Sequence, residues 1–247
     1  MRARELAREV GARAAAIPAQ KLSANLVWFS VPDAEIAHAA QGLIDVFGPE
    51  TQSWKGKIAL HSSGALSSDE LGVLRRRGAA VASAHALMTF VRGSRPPFAG
   101  VPFAVEGDPA AVRIARRIIS DLGGLAYPIR KKDKAAYHAW GTFASPLFTA
   151  LLATSERVAA LAGVKKDEAR KRMIPILLQT LANYATLGAP GAFSGPIIRG
   201  DLDTVKRHLR VLRKAQPARE VYSALANAAL LYLPARRKKD LARVLKG

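Results

Sequence analysis

The sequence predicts an α/β parallel-sheet domain followed by an all-α domain, and three observations carry that prediction. Short apolar runs that do not alternate, such as Leu26-Val27-Trp28-Phe29-Ser30-Val31, are separated by stretches of helical periodicity. Strand signals stop near Ile129, and long helical patterns fill the remainder. A strand apolar at successive positions is buried on both faces, and helices between such strands are what cover a parallel sheet. The expected division is therefore 1–129 for the α/β domain and 130–247 for the helical one.

The first strand, Leu26 to Val31, leads into a helix from Asp33 to Phe47. Lys57 to His61 is the second strand. Ser67 with Glu70 three residues on forms a capping box, which starts a helix running to Arg77. Ala80 to Ala84 and Pro102 to Glu106 are the next strands. A helix from Pro109 to Leu122 is closed by Gly123-Gly124, and a last strand lies near Ala126 to Ile129. Helices are then expected over 134–163, 166–187, 201–214 and 217–233. Leu202, Val205, Leu209 and Leu212 form one stripe of the third, with Asp201 as its N-cap. Pro146 and Pro175 should kink or interrupt the first two. The tail after Pro234, with six basic residues and one acidic, is expected to be mobile.

Composition bounds the function. Lys+Arg 38 against Asp+Glu 19 give a formal net charge of +19, so acidic partners must be weighed. The basic residues are spread over every segment and aromatics are only 6%, whereas readers of single-stranded nucleic acid interleave the two; nucleic acid is not the favoured partner. Zero cysteines exclude disulfides, thiolate metal clusters and cysteine nucleophiles, and no metal is expected. The opening residues lack the apolar stretch of an export signal, which points to the cytoplasm. Two segments, Ala135 to Ser155 and Met173 to Ile198, carry no Asp, Glu, Lys or Arg. Their prolines, glycines and hydroxyls make them too polar for lipid, and they read as helices buried in protein.

Open parallel sheets bind ligands beyond the carboxyl ends of their strands. There the sequence places Ser30-Val31-Pro32-Asp33, then His61-Ser62-Ser63-Gly64, then His85 with Thr89 beyond it. Two imidazoles, a carboxylate and a row of hydroxyls at one edge are what an acid/base site is built from. Each also has a structural reading: Asp33 as a helix cap, the serines as turn formers, a strand-end histidine as a hydrogen-bonded scaffold residue. In the helical half, Tyr137-His138 opens the first long helix. Arg199 enters a helix N-terminus and is placed to hold an anion, or to pair with Asp201. Asn183 lies beside an apolar stripe, where a satisfied core or interface role competes with substrate contact.

Val31-Pro32-Asp33, His61-Ser62-Ser63-Gly64-Ala65-Leu66, His85 with Thr89-Phe90, Phe103 to Gly107, Tyr137-His138-Ala139 and Gly195-Pro196 through Asp201 together resemble a bacterial family. In that family a Rossmann-like domain precedes the C-terminal domain of unknown function 2520. It is similar to pyrroline-5-carboxylate reductase, to deazaflavin-dependent NADP reductase and to proteins with the 6-phosphogluconate dehydrogenase type of C-terminal domain. The resemblance implies an NAD(P)-dependent oxidoreductase of unknown substrate, with hydride transfer in the interdomain cleft and a homodimer formed through the helical domain. On that reading His85 or His138 exchanges a proton with the substrate, Ser30, Val31, Pro32, Asp33, His61, Ser62, Ser63 and Gly64 line the cofactor, and Thr89, Tyr137, Asn183 and Arg199 contact the substrate.

The chain departs from the family pattern at His85-Ala86, where His-Pro is usual, and at Ala144-Ser145-Pro146, where an Asn is usual after Ala-Ser. A Rossmann domain also opens with a strand, a G-x-G-x-x-G turn and a helix, and residues 1–247 contain no such turn. Met1 to Ala16 reads as the helix that follows the second strand, so a βα unit plus a strand, about 30 residues, is expected to be missing upstream. The expected cofactor, NADP or NAD, would then lack its phosphate cradle. The alternative is a non-catalytic dimeric ligand-binding or interaction protein that keeps the fold without that loop.

Overall fold

The computed structural model describes residues 2–15, 22–47 and 53–246. They fall into two compact units, Met1–Ser145 and Pro146–Gly247. The first unit runs α1 (Arg2–Glu9), β1 (Leu26–Phe29), α2 (Ile36–Phe47), β2 (Ile58–His61), α3 (Gly72–Arg76), β3 (Ala80–Ala86), β4 (Pro102–Gly107), α4 (Pro109–Asp121), β5 (Leu125–Pro128) and α5 (Lys134–Ala144). The N-terminal helix ends at Glu9, earlier than expected, and the expected end at Ala16 lies outside the described residues.

The five strands form one sheet in the order β1-β2-β3-β4-β5. β1, β2 and β3 are parallel, as are β4 and β5, but β4 runs antiparallel to β3, which corrects the expectation of a wholly parallel sheet. The reason lies in residues 87–101. A parallel neighbour needs a crossover, usually helical, and this connection, with Gly93, Pro96 and Pro97, forms no helix.

Apolar runs arise because the sheet is covered on both sides. One face packs Phe29, Ala59 and Val81 against Ile36, Ala40 and Leu43 of α2 and Leu74 of α3. The other packs Leu60, Ala82, Ala84 and Val105 against Ala111, Ala115 and Ile119 of α4. The start of α3's preceding turn is fixed at Ser67, whose Oγ accepts the Asp69 backbone N–H at 3.3 Å. Gly107 ends β4 at φ +137°, and a Cβ there would lie 2.3 Å from the Val81 carbonyl oxygen, so only glycine fits.

The second unit contains α6 (Pro146–Leu161), α7 (Lys166–Ala192), α8 (Pro196–Arg199), α9 (Leu202–Leu212), α10 (Gln216–Tyr232) and α11 (Lys238–Lys246). The helix expected over 134–163 breaks at Ser145, before Pro146, and the unit boundary falls there rather than after 129. α7 continues past Pro175 and instead loses helical geometry at Gly188 (φ 67°). The predicted stripe of α9 is buried at Val205, Leu209 and Leu212, and Asp201 caps it, accepting Thr204 N–H at 3.0 Å. The tail is not a loose end. Its amphipathic residues form α11, which buries Leu241 and Leu245 against Val205, Ala226 and Leu230.

The second uncharged segment is not buried within this chain: Ile174, Ile176, Leu178, Leu181, Tyr184 and Leu187 of α7 are all exposed. Among the described residues no single helix is long and apolar enough to cross a membrane.

Candidate active site

Strand register builds the site from a buried polar row. His61 of β2 lies level with Ser83 of β3, and Ser83 lies opposite Glu106 of β4. Side chains alternate along a strand, so this row and His85, two residues beyond Ser83, share one face. His61 is fully buried. Its Nδ1 accepts the Ser63 backbone N–H at 3.1 Å, which leaves the proton on Nε2 to be donated to the Ser67 carbonyl at 3.0 Å. Burial pushes its pKa below the ordinary value. His61 is therefore neutral, with both ring nitrogens engaged by the loop that follows β2. Glu106 accepts Ser68 N–H at 2.6 Å and Ser68 Oγ–H at 2.9 Å.

Over this row lies the start of α5. Lys134, only 1% exposed, donates from Nζ to the Ser63 carbonyl at 2.9 Å and to Ser83 Oγ at 2.7 Å. Burial lowers the pKa of its ammonium, against the pull of Glu106 and Asp33. These bonds, with Tyr137 one turn later, hold α5 to the sheet, and they explain why residues 130–145 belong to the first unit.

Tyr137 is buried, and its hydroxyl lies 2.8 Å from His85 Nδ1. Burial, then Lys134 and then His138 pull the His85 pKa down to about 4. Burial, with Tyr127 beside it, pushes the Tyr137 phenol above its ordinary value. The result is a neutral imidazole paired with a neutral phenol. The exposed His138 completes the group, its ring 6.2 Å from that of His85 in a T-shaped arrangement. Gly64 lets the two rings close on the loop: a Cβ there would stand 2.7 Å from both His138 Cδ2 and His85 Nε2.

Asp33 is not a helix cap. Its Oδ2 accepts the Ser63 hydroxyl at 2.7 Å, and Ser63 Oγ in turn accepts Leu66 N–H at 2.9 Å. This ties the end of β1 to the loop after β2. Ser62 accepts the Trp28 indole N–H at 2.8 Å. Ser30, Val31 and Pro32 lie exposed at the end of β1, and Thr89 is exposed beyond β3.

The α/β unit thus gathers Asp33, Ser63, Gly64, His85, Tyr137 and His138. Asn183 and Arg199 belong to the helical unit. Asn183 accepts Gln179 Nε2–H at 2.7 Å, a contact within α7. Arg199 ends α8 rather than opening a helix, and its charge helps to depress the Asp201 carboxyl, after the bonds from Thr204. Sequence reasoning missed Lys134, which stands at the end of the run Arg130-Lys131-Lys132 and reads there as one more solvated charge. Its spacing of three and four residues from Tyr137 and His138, which puts all three on one helix face, was the available signal.

A dinucleotide fits these residues in part. Exposed Ser30 to Pro32, the Asp33 carboxylate and the loop at Gly64 offer an open strand edge with acceptors for a ribose and ring. No glycine turn for a pyrophosphate occurs in residues 1–247.

Residues 101–229, just over half of the 247, match the family described as Domain of unknown function (DUF2520). The chain belongs to that family. Among solved structures, this DUF2520 protein is similar to protein TM1727 from Thermotoga maritima, at 25% identity over 99% of this chain and 87% of that one, with a TM-score of 0.70. It is also similar to BF3122 from Bacteroides fragilis, provisionally described as an NADP oxidoreductase, at 21% identity over 92% of this chain and 83% of that one, TM-score 0.73. The reductive aminase from Aspergillus terreus, solved with NADPH and ethyl-5-oxohexanoate, matches at 16% identity over 92% and 81%, TM-score 0.63. No curated protein matches the chain. The shared fold is that of a Rossmann-like sheet followed by helices.

Proposed function

We propose that this DUF2520 protein is an NAD(P)-linked oxidoreductase acting on a small-molecule substrate, with the proton exchanged at the His85–Tyr137–His138 cluster. The observation that carries the reading is the 2.8 Å contact between His85 Nδ1 and the Tyr137 hydroxyl, set beside Gly64 at the carboxyl end of the parallel strands. That edge is where open α/β sheets hold their ligands. The same fold in the reductive aminase solved with NADPH supports the cofactor class.

A bound nicotinamide would supply the hydride chemistry. Ser30 to Asp33 and Ser62 to Gly64 would line its ribose and ring. The chain's own part is to hold and move a proton. Tyr137, kept protonated by its burial, donates its hydroxyl proton, the neutral His85 imidazole orients that hydroxyl by accepting at Nδ1, and the phenolate left behind regains a proton from water. His138, exposed, connects the pair with solvent.

The test is a titration of NADPH and of NADH into the chain, following nicotinamide fluorescence. Saturable binding by either, weakened in Asp33→Asn, is expected. No saturable binding by either nucleotide overturns the reading in favour of a ligand-binding protein that retains only the fold.

We further propose a homodimer formed through the helical unit. The exposed apolar side chains of α7 and an apolar cavity of about 630 Å³, lined by residues that include Leu151, Val158, Phe193, Val211 and Leu225, support it. Apolar side chains clustered on an exposed helix face are commonly covered by another protein surface. Sedimentation velocity should give a dimer that Leu181→Glu dissociates; a monomeric wild type overturns the proposal.

A further inference from the structure

We propose that Lys134 is a positioning residue for the proton-exchanging pair: its buried ammonium ties the Ser63–Gly64 loop to β3 at Ser83 and thereby fixes His85 against Tyr137 as an uncharged acceptor. The inference rests on the reading of that pair as the group that exchanges a proton. It adds a residue with no direct part in that exchange.

The geometry has three parts. Nζ bonds the Ser63 carbonyl and Ser83 Oγ, and Ser83 Oγ also donates to the same carbonyl at 3.1 Å, so one triangle locks loop, strand and helix together. Gly64, next to Ser63, is the surface on which the His85 and His138 rings close. His85 is two residues beyond Ser83 on the same face, while Tyr137 is one helical turn beyond Lys134. The bonds of Lys134 thus set the spacing of both partners at once.

Charge acts in the same direction. The groups facing His85 are Asp33 after β1, Lys134, Tyr137 and His138 on α5, with Tyr127 of β5 behind Tyr137. Glu106 of β4 faces Lys134 from across the row. A cation fixed beside the imidazole disfavours a second one there, as the lowered His85 pKa reflects. Lys134 itself is covered, so it makes no contact with an incoming molecule.

The experiment is an NMR titration of the histidine rings in the full chain, which needs no substrate and no nucleotide. In Lys134→Met the His85 titration should rise by about one unit, a roughly tenfold gain in proton affinity, and the Nδ1 resonance should lose its hydrogen-bond shift. Lys134→Arg, which keeps the charge, should hold the titration low. An unmoved His85 titration in Lys134→Met overturns the proposal. Where Lys134→Met does not fold, the wild type decides: with carbon-13 lysine, the Lys134 Cε resonance should move as His85 takes its proton at low pH. A Lys134 resonance blind to that event overturns the proposal as well. Failure of nucleotide binding would strike the functional reading and leave these titrations intact, so the two can be told apart.

Discussion

Acidification from pH 7.5 to 4.5 is expected to destabilise the α/β unit through His85. Burial, the Lys134 charge and His138 hold this imidazole at about 4 in the folded chain, against 6.5 when it is free of them. Between those two values the unfolded chain binds a proton that the native site refuses. Stability is therefore full above pH 6.5 and is lost as the pH falls through the window, with a slope approaching about 1.4 kcal/mol per pH unit. Integrated to pH 4.5 the loss from His85 is about 2.5 kcal/mol, an upper figure because the ring is partly exposed to water. His61, lowered by its burial, adds in the same direction. Asp69, held down to about 2 by its bonds to Lys131 and Arg75, titrates below the window and does not contribute. The assay is urea unfolding followed by circular dichroism at half-unit pH steps. His85→Asn, whose amide oxygen can still accept from Tyr137, should flatten most of the slope. A midpoint that does not change between pH 7 and 5, or an equal slope in His85→Asn, would refute the reasoning.

Gly64→Ala should cost about 1–3 kcal/mol by overpacking, because the new Cβ would stand 2.7 Å from two ring atoms. Thermal unfolding measures the cost, and the His85 ring resonances should shift with it; an unperturbed His85 would contradict the close approach. Leu241→Ala should cost about 2–5 kcal/mol, since Leu241 is fully buried in the core of the helical unit. Its readout is the Tm of the full chain, and a change within the noise would mean that α11 is not docked.

Legibility of the sequence followed the periodicities. All five strands lie where apolar runs placed them, because burial on both faces leaves a continuous signature, and Asp201 was readable because N-caps need a short acceptor. The reversal of β4 was not readable: strand direction depends on whether the connection is helical, and residues 87–101 show only that it is irregular. Within the site, Asp33, Ser63, Gly64, His85, Tyr137 and His138 were legible as strand ends and a helix start. The sequence could not separate His61 from His85, since both are strand-end histidines on one face, and only the pairing register shows His61 lying two residues deeper, with both nitrogens taken up by its own loop. Lys134 was hidden for the opposite reason. Burial of a charge is decided by partners far along the chain, here 51 and 71 residues away, and no local pattern reports them.

The placement of these charges limits what the site can do. A buried lysine is tolerated only where acceptors and opposite charge offset its lost hydration. Lys134 has the Ser63 carbonyl, Ser83 Oγ and the nearby Glu106 and Asp33. An imidazolium added beside it would have Asp33 as its opposing carboxylate, and Asp33 is already engaged by Ser63. The histidines of the row are therefore held uncharged, His61 by its fixed tautomer and His85 by its neighbours. In the proposed exchange a proton reaching Tyr137 is passed on rather than stored, and the exposed His138, one residue along α5, is the group proposed to connect the pair with water. His138→Ala should accordingly slow proton exchange at the cluster, measured as a slowed exchange of the Tyr137 hydroxyl by NMR, while leaving the His85–Tyr137 hydrogen bond in place. Unchanged exchange would show that the path runs elsewhere.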